Sequence, residues 1–434
     1  MLPARFRPQA HSMGLSATEV GQESDEEQLE PPPAIRYGPP PVMRYSNRRF
    51  GEAAVECLRA TVQNESILQI PVGIVNGGPM NEYPRRRHVY LTLALVYLVM
   101  SAPALGDTLT GVGFAAVRIH DPINGGTMSG YVFYPSAKAK GVTRRGPYEL
   151  DATLNATPLR GAKPLVMISH GHGGSDLGHH DLATYLASHG FIVAAITHPK
   201  DNFRNSSGDG HAVVLVGRPI QISATISYLI RSPEWKPLID SSRIGVAGFS
   251  NGGYTALLLV GAVPRFTRIV SHCRLHPDDR NVCAALARLN AKTGQHGVEQ
   301  RVSALQRSLH RWGNTDDPRV KSAFVMAPFS SVFGAAGLAH INRPVFLYYG
   351  QDDRVLLPRY NVLHIAPLIK TLVGIKMIPK AGHYVFLAPC SEELARDYAG
   401  ICKDPPGVDR TAVHRQINAE ALAFFRKTLQ VRLQ

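Results

Sequence analysis

Gly248-Phe249-Ser250-Asn251-Gly252 forms a G-x-S-x-G pattern between two apolar runs. Arg243 to Phe249 suits a buried strand, and the residues up to Val260 suit a helix. A serine on so sharp a strand-to-helix turn is expected in a strained backbone with its hydroxyl exposed. Gly248 and Gly252 flank it because side chains there would collide across the turn. The backbone N–H of Asn251 opens the helix, where free N–H groups and the helix dipole favour a developing negative charge. The chemistry is attack by the Ser250 hydroxyl on a carbonyl carbon. The same pattern also occurs as a tight turn with an inert serine, so the decision rests on which groups the fold brings to it.

The elements that must position Ser250 are read from hydrophobic period. Val112–Ile119 and Met128–Tyr134 read as antiparallel strands around the turn Asn124-Gly125-Gly126. A polar connection containing Gly146-Pro147 follows. Pro164–Ser169 and Phe191–Ile196 are short, wholly apolar runs of the kind buried on both faces of a sheet. Ser322–Ala327, Pro344–Tyr349 and Val373–Ile378 complete the strands. Helical spacing covers His180–His189, Pro219–Ile230 and about Val413–Leu429. Strands alternating with helices imply a mainly parallel sheet with right-handed crossovers. About eight strands in this order resemble the α/β-hydrolase fold.

That resemblance implies partners for the serine. In these enzymes the chain order is Ser, then Asp or Glu, then His. A hydroxyl near neutral pH needs a base within hydrogen-bond reach, and the base needs an orienting carboxylate. Gly350-Gln351-Asp352-Asp353-Arg354-Val355-Leu356-Leu357-Pro358 is similar to the acid loop of the fold, which points to Asp353, with Asp352 as the alternative. Either aspartate would also suit a solvated turn or a helix cap. Gly382-His383 after the last strand matches the position of the base. The chain has 18 histidines, so position rather than residue type selects His383. The loop His170-Gly171-His172-Gly173-Gly174 resembles the glycine-rich esterase loop that supplies a second oxyanion N–H. The backbone N–H of His172 is then the expected partner of Asn251, and the imidazoles of His170 and His172 are structural. A metal site built from His170, His172, His179 and His180 competes with this, but no ligating carboxylate pattern accompanies it. His198, after a strand end, would line the pocket or fix a loop.

Composition bounds the rest. The chain has 434 residues, 44% of them hydrophobic, enough for one large domain with extensions or for two domains. The net charge of +14 comes from scattered basic residues without a zinc-finger, RRM or KH pattern, so nucleic acid is not an expected partner. A basic surface instead suits anionic substrates or an envelope surface. Residues 1–79 hold Pro31-Pro32-Pro33, Pro39-Pro40-Pro41 and the acidic run Glu23 to Glu27, with no sustained hydrophobic period. Such a stretch is expected to be disordered, or to lie upstream of the native start. Met80 to His88 is basic, Val89–Met100 is apolar, and Ser101 to Gly106 is small and cleavable. Residues 80–106 therefore read as a secretory signal peptide, with an uncleaved membrane anchor as the alternative. Cys57 precedes this stretch. Cys273, Cys283, Cys390 and Cys402 fall into two local pairs, which suggests two disulfides in an oxidising compartment. Other connectivities, free thiols, or a metal site from His272, Cys273, His276 and Cys283 are the rival readings. Within a catalytic domain spanning 107–434, residues 263–320 lack strand signals and hold two expected helices near Val282–Ala291 and Val298–Arg311. They read as a cap-like insertion after the nucleophile helix.

From Phe114 onward the chain resembles exported α/β-hydrolases of the dienelactone-hydrolase-like or platelet-activating-factor-acetylhydrolase-like branch. The residues carrying this are Gly146 to Leu150, Ser169 to Gly174, His179 to Leu182, His198-Pro199, Gly248 to Gly253 and Gly382-His383. Two departures matter. Dienelactone hydrolases use a cysteine nucleophile where this chain has Ser250. The secreted lipid acetylhydrolases take their acid from an earlier strand, and Phe324 to Pro328 offers none. The resemblance implies a secreted or periplasmic serine hydrolase of small-molecule or lipid-like carboxylic esters that needs no metal or organic cofactor. A peptidase of the same fold and a catalytically silent binding module are the alternatives.

Overall fold

The computed structural model describes residues 109–137, 141–313 and 315–431. The expected disordered stretch and signal peptide, residues 1–79 and 80–106, lie outside them.

Among the described residues eleven strands form, in the order β1 (Gly111–His120), β2 (Thr127–Ser136), β3 (Thr143–Arg145), β4 (Tyr148–Leu150), β5 (Thr153–Leu154), β6 (Lys163–Ser169), β7 (Ile192–Ile196), β8 (Ile239–Phe249), β9 (Val320–Met326), β10 (Val345–Gly350) and β11 (Leu372–Ile378). Nine of them make one sheet in the order β11-β10-β9-β8-β6-β7-β2-β1-β5. Within this sheet β2 runs antiparallel to both its neighbours, and every other pairing is parallel. This is the α/β-hydrolase fold expected from the sequence, with one strand more than the eight anticipated. The addition is β5, two residues that pair with Gly113 and Phe114 and are too short to show a period. The polar connection around Gly146-Pro147 also closes into a hairpin of β3 and β4, turning at Gly146 with φ of 54°.

Helices cover both faces of the sheet, which explains why its central strands are apolar throughout. Leu165 and Met167 of β6 point into one core with Ile222, Ile226 and Leu229 of helix Gly217–Arg231. Val166 and Ile168 point into the other, with Leu182 and Leu186 of helix His180–Ser188 and Phe425 of helix Arg410–Thr428. The alternation is the two-residue period of a strand. Asp409 caps the last helix by accepting from the Ala412 N–H at 3.1 Å.

The segment after helix Asn251–Leu259 is helical, as expected, with Arg268–Leu275 added to the anticipated pair. The pair itself, Arg280–Trp312, breaks at Gly294, where φ is 66° and ψ is 178°. Val298, Val302, Leu305 and Leu309 form the apolar stripe that seats the second half on the core. The first half is tied to Arg268–Leu275 by the Cys273–Cys283 disulfide. The insertion reaches the segment following Asp353: the Asn281 amide donates to the Arg354 carbonyl, and the Tyr360 hydroxyl donates to Asp278, in the turn before helix Arg280–Trp312, at 3.1 Å. A second disulfide joins Cys390 and Cys402. His272 bonds Asp279 instead of sharing a ligand set with the cysteines.

Candidate active site

The carboxyl ends of the parallel strands lie at one edge, and the predicted site residues follow strand ends there: His172 after β6, Ser250 and Asn251 after β8, Asp353 after β10 and His383 after β11. Ligand sites of open α/β sheets form there because the loops diverge and leave a crevice. The backbone is tightly bent at this edge. Lys200, Ser250, Ala327 and Lys380 follow the ends of β7, β8, β9 and β11, and all have positive φ. For non-glycine residues such conformations cost on the order of 1–3 kcal/mol each and persist only where the surroundings impose them.

Ser250 has φ of 55° and ψ of −118°. Its N–H is held by the Met326 carbonyl at 2.9 Å. The neighbouring glycines are required by close backbone approach. A Cβ on Gly248 would stand 2.1 Å from the Gly252 carbonyl oxygen, and one on Gly252 would stand 1.8 Å from that of Ser169. The helix can therefore start directly behind Ser250, with the Asn251 N–H in its first position, where a helix has no partner of its own to offer.

The structure brings three of the predicted side chains together. His383 Nε2 lies 3.0 Å from Ser250 Oγ, and His383 Nδ1 lies 2.7 Å from Asp353 Oδ2. The other carboxylate oxygen of Asp353 accepts the N–H groups of Val355 and Leu356 at 2.9 and 2.8 Å. A carboxylate accepting at Nδ1 sets the tautomer that leaves Nε2 free to take the serine proton. Asp353 and His383 are 2% and 4% exposed, so water competes little for these bonds. Asp352 is exposed, and only its backbone takes part, donating to the Ala381 carbonyl at 2.9 Å. That bond and the absence of a side chain at Gly350 let the two loops touch, since a Cβ there would stand 2.5 Å from the Ala381 oxygen.

The glycine-rich loop lies directly against the serine. A Cβ on Gly171 would be 2.9 Å from the Phe249 ring and 3.2 Å from Ser250 Cβ. His172 follows Gly171 and shares this edge with Asn251. Both imidazoles of the loop are hydrogen-bonded within the protein. His170 Nε2 accepts the His198 N–H at 3.0 Å, which leaves Nδ1 to donate to the Gly171 carbonyl at 2.6 Å. Burial, assisted by the Arg218 cation, pushes the His170 pKa down to about 3. His198 is fully buried between Ser169 and Gln221 and so fixes the loop; it does not line the pocket. His179 packs on the edge of Phe249 and His180 on Tyr148, so the four histidines of the loop region face different partners.

Sequence reading passed over the groups beneath this loop. Asp201, fully buried, accepts from His172 Nδ1 at 2.6 Å, Arg218 Nη1 at 2.7 Å, and more distantly from the Gly173 N–H and the Asn251 amide, both at 3.4 Å. Arg218 also donates to the His170 carbonyl and to Ser169 Oγ. Burial alone would raise the Asp201 pKa, but Arg218 and His172 outweigh it and hold the carboxyl well below the usual range. A signal was present: Arg218, Gln221 and Thr225 interrupt the apolar face of Ile222 and Ile226, and buried polar residues on such a face require partners.

The nine-stranded, mostly parallel sheet, with Ser250 on the sharp turn at the end of β8, defines an α/β-hydrolase fold. Residues 141–207, which include the glycine-rich loop and Asp201, match the family model of platelet-activating factor acetylhydrolase, isoform II. Among solved structures, the ferulic acid esterase from Streptomyces cinnamoneus is similar at 19% identity and a TM-score of 0.48, over 77% of this chain and 94% of that one. No curated protein matches the chain.

Proposed function

We propose that the protein is an exported serine hydrolase of carboxylic esters. The observation that carries this reading is the unbroken chain of contacts Ser250 Oγ–His383 Nε2 and His383 Nδ1–Asp353 Oδ2, at 3.0 and 2.7 Å. His383 takes the Ser250 proton as the oxygen attacks the ester carbonyl. Asp353 holds the imidazole in the required tautomer and stabilises the imidazolium that forms. The backbone N–H groups of Asn251 and His172 receive the oxyanion. His383 then protonates the departing alcohol, and water, activated by the same imidazole, releases the acid from Ser250. The match over residues 141–207 supports ester substrates. The inserted helices, which lean on residues 354–360, are suited to shaping substrate access as a cap.

Export is supported by the signal-like stretch from Met80 to Gly106 and by two disulfides, which persist in oxidising compartments. N-terminal sequencing of the mature protein tests it, with a start close after Ala104 or Gly106 expected. The activity is tested with p-nitrophenyl esters of rising acyl length, platelet-activating factor and a ferulic acid ester, with peptide substrates as competitors. Ester turnover that vanishes in Ser250→Ala, together with covalent fluorophosphonate labelling of Ser250, is the expected result. Turnover surviving in Ser250→Ala, or no labelling, sinks the reading.

A further inference from the structure

Asp201 sits 50 residues from Asn251 and 29 from His172, and its carboxylate receives both their side chains. These are the two residues whose backbone N–H groups form the oxyanion hole in the reading above, on which this inference rests. We propose that Asp201 is the positioning residue of the oxyanion hole, holding its two halves in register through one buried carboxylate.

Three features of the surroundings support that role. The carboxylate is inaccessible to water, whereas the His172 side chain is 45% exposed, so the bond restrains the most exposed residue of the loop. Arg218 fixes Asp201 from below at 2.7 Å and holds the same loop through the His170 carbonyl and Ser169 Oγ. The loop is thus gripped from the carbonyl side by the guanidinium and from the N–H side by the carboxylate, which also reaches the Gly173 N–H. Finally, Lys200 adopts φ of 62° immediately before Asp201, a conformation that the turn must impose. Donors aimed at an oxyanion lose effect steeply with displacement, because they act only at the position where charge develops. Asp201 touches neither substrate nor reacting atom in this arrangement; it acts through the two backbone donors.

The test separates tethering from catalysis and from folding. His172→Ala and Asn251→Ala keep both backbone N–H groups and remove only the side chains that reach Asp201. Each is expected to lower kcat on p-nitrophenyl butyrate by about tenfold with KM within about twofold. The inhibition constant of phenylboronic acid, whose serine adduct places an oxygen in the hole, should rise by the same factor. In His172→Asn the amide nitrogen takes the place of Nδ1, so kcat should recover to within about threefold of the wild type. Asp201→Asn is expected to lose about a hundredfold; if it does not fold, the His172 and Asn251 variants carry the test. Wild-type kcat in both alanine variants overturns the proposal, provided Ser250→Ala of the same preparation is inactive. A His172→Asn loss equal to that of His172→Ala assigns the effect to the imidazole itself and also overturns it. Activity surviving in Ser250→Ala removes the underlying reading and this proposal together.

Discussion

Gly252 passes so close over Ser169 that a Cβ added to it would lie 1.8 Å from the Ser169 carbonyl oxygen. The obstacle is backbone at the end of a central strand, so it cannot move aside as a flexible side chain would. Gly252→Ala should therefore cost more than the roughly 1–3 kcal/mol of ordinary overpacking. A clear fall in soluble yield and thermal midpoint is the expected reading. Gly382→Ala is the contrast: no atom lies within 4 Å of its added Cβ and its φ is −87°. Its midpoint should stay near that of the parent. Equal midpoints for the two variants would show that the elbow does not need its second glycine.

Adjacent aspartates differ completely in surroundings. Asp353 is buried against His383, while Asp352 points its side chain to solvent. Asp353→Asn is expected to lower kcat by about 10³–10⁴-fold, because the amide favours the wrong imidazole tautomer. Asp352→Asn should leave kcat within about twofold. Steady-state rates on a p-nitrophenyl ester decide between them; the reverse ranking would move the orienting role to Asp352.

Buried neutral histidines make the fold sensitive to acid. Burial lowers the pKa of His170 to about 3 and of His179 to about 4, against 6.5 for the free side chain. The unfolded chain therefore binds protons below pH 6.5 that the native state refuses. The contribution is complete above pH 6.5 and is lost as pH falls toward 4. At pH 5 each of these two sites removes about 2 kcal/mol of stability relative to pH 7. Urea midpoints measured from pH 7 down to pH 5 should fall accordingly. Imidazole NMR signals of both residues should remain those of the neutral ring at pH 5, and signals that titrate near 6.5 would contradict this origin.

The two disulfides close short loops, with separations of 10 and 12 residues. Each should contribute about 2–3 kcal/mol by restricting the unfolded chain. Iodoacetamide is expected to label none of Cys273, Cys283, Cys390 and Cys402 until a reductant is added. Cys390→Ser combined with Cys402→Ser should lower the urea midpoint. Labelling without reductant would refute the pairing.

Local pattern alone determined a good deal about this protein. The elbow at Ser250 was legible because a strand-to-helix turn restricts residue types within five positions. The strands were legible because burial on both faces demands short apolar runs, and β6 and β8 show them. The division of the insertion into two helices near 282–291 and 298–311 and the local cysteine pairs were visible for similar short-range reasons, while the break itself falls at Gly294.

Tertiary structure decided what no local pattern carries. Asp352 and Asp353 are neighbours in one loop, and resemblance to the acid loop favoured Asp353 without excluding Asp352; the way that loop leaves β10 turns Asp353 to His383. Strand β5 forms because an existing edge on β1 offers it partners; two residues have no period of their own. Asp201 and Arg218 became meaningful only once the fold buried them beneath the glycine-rich loop. Charge in a low-dielectric interior must find a partner, and which partner is a matter of three-dimensional proximity that spacing along the chain does not encode.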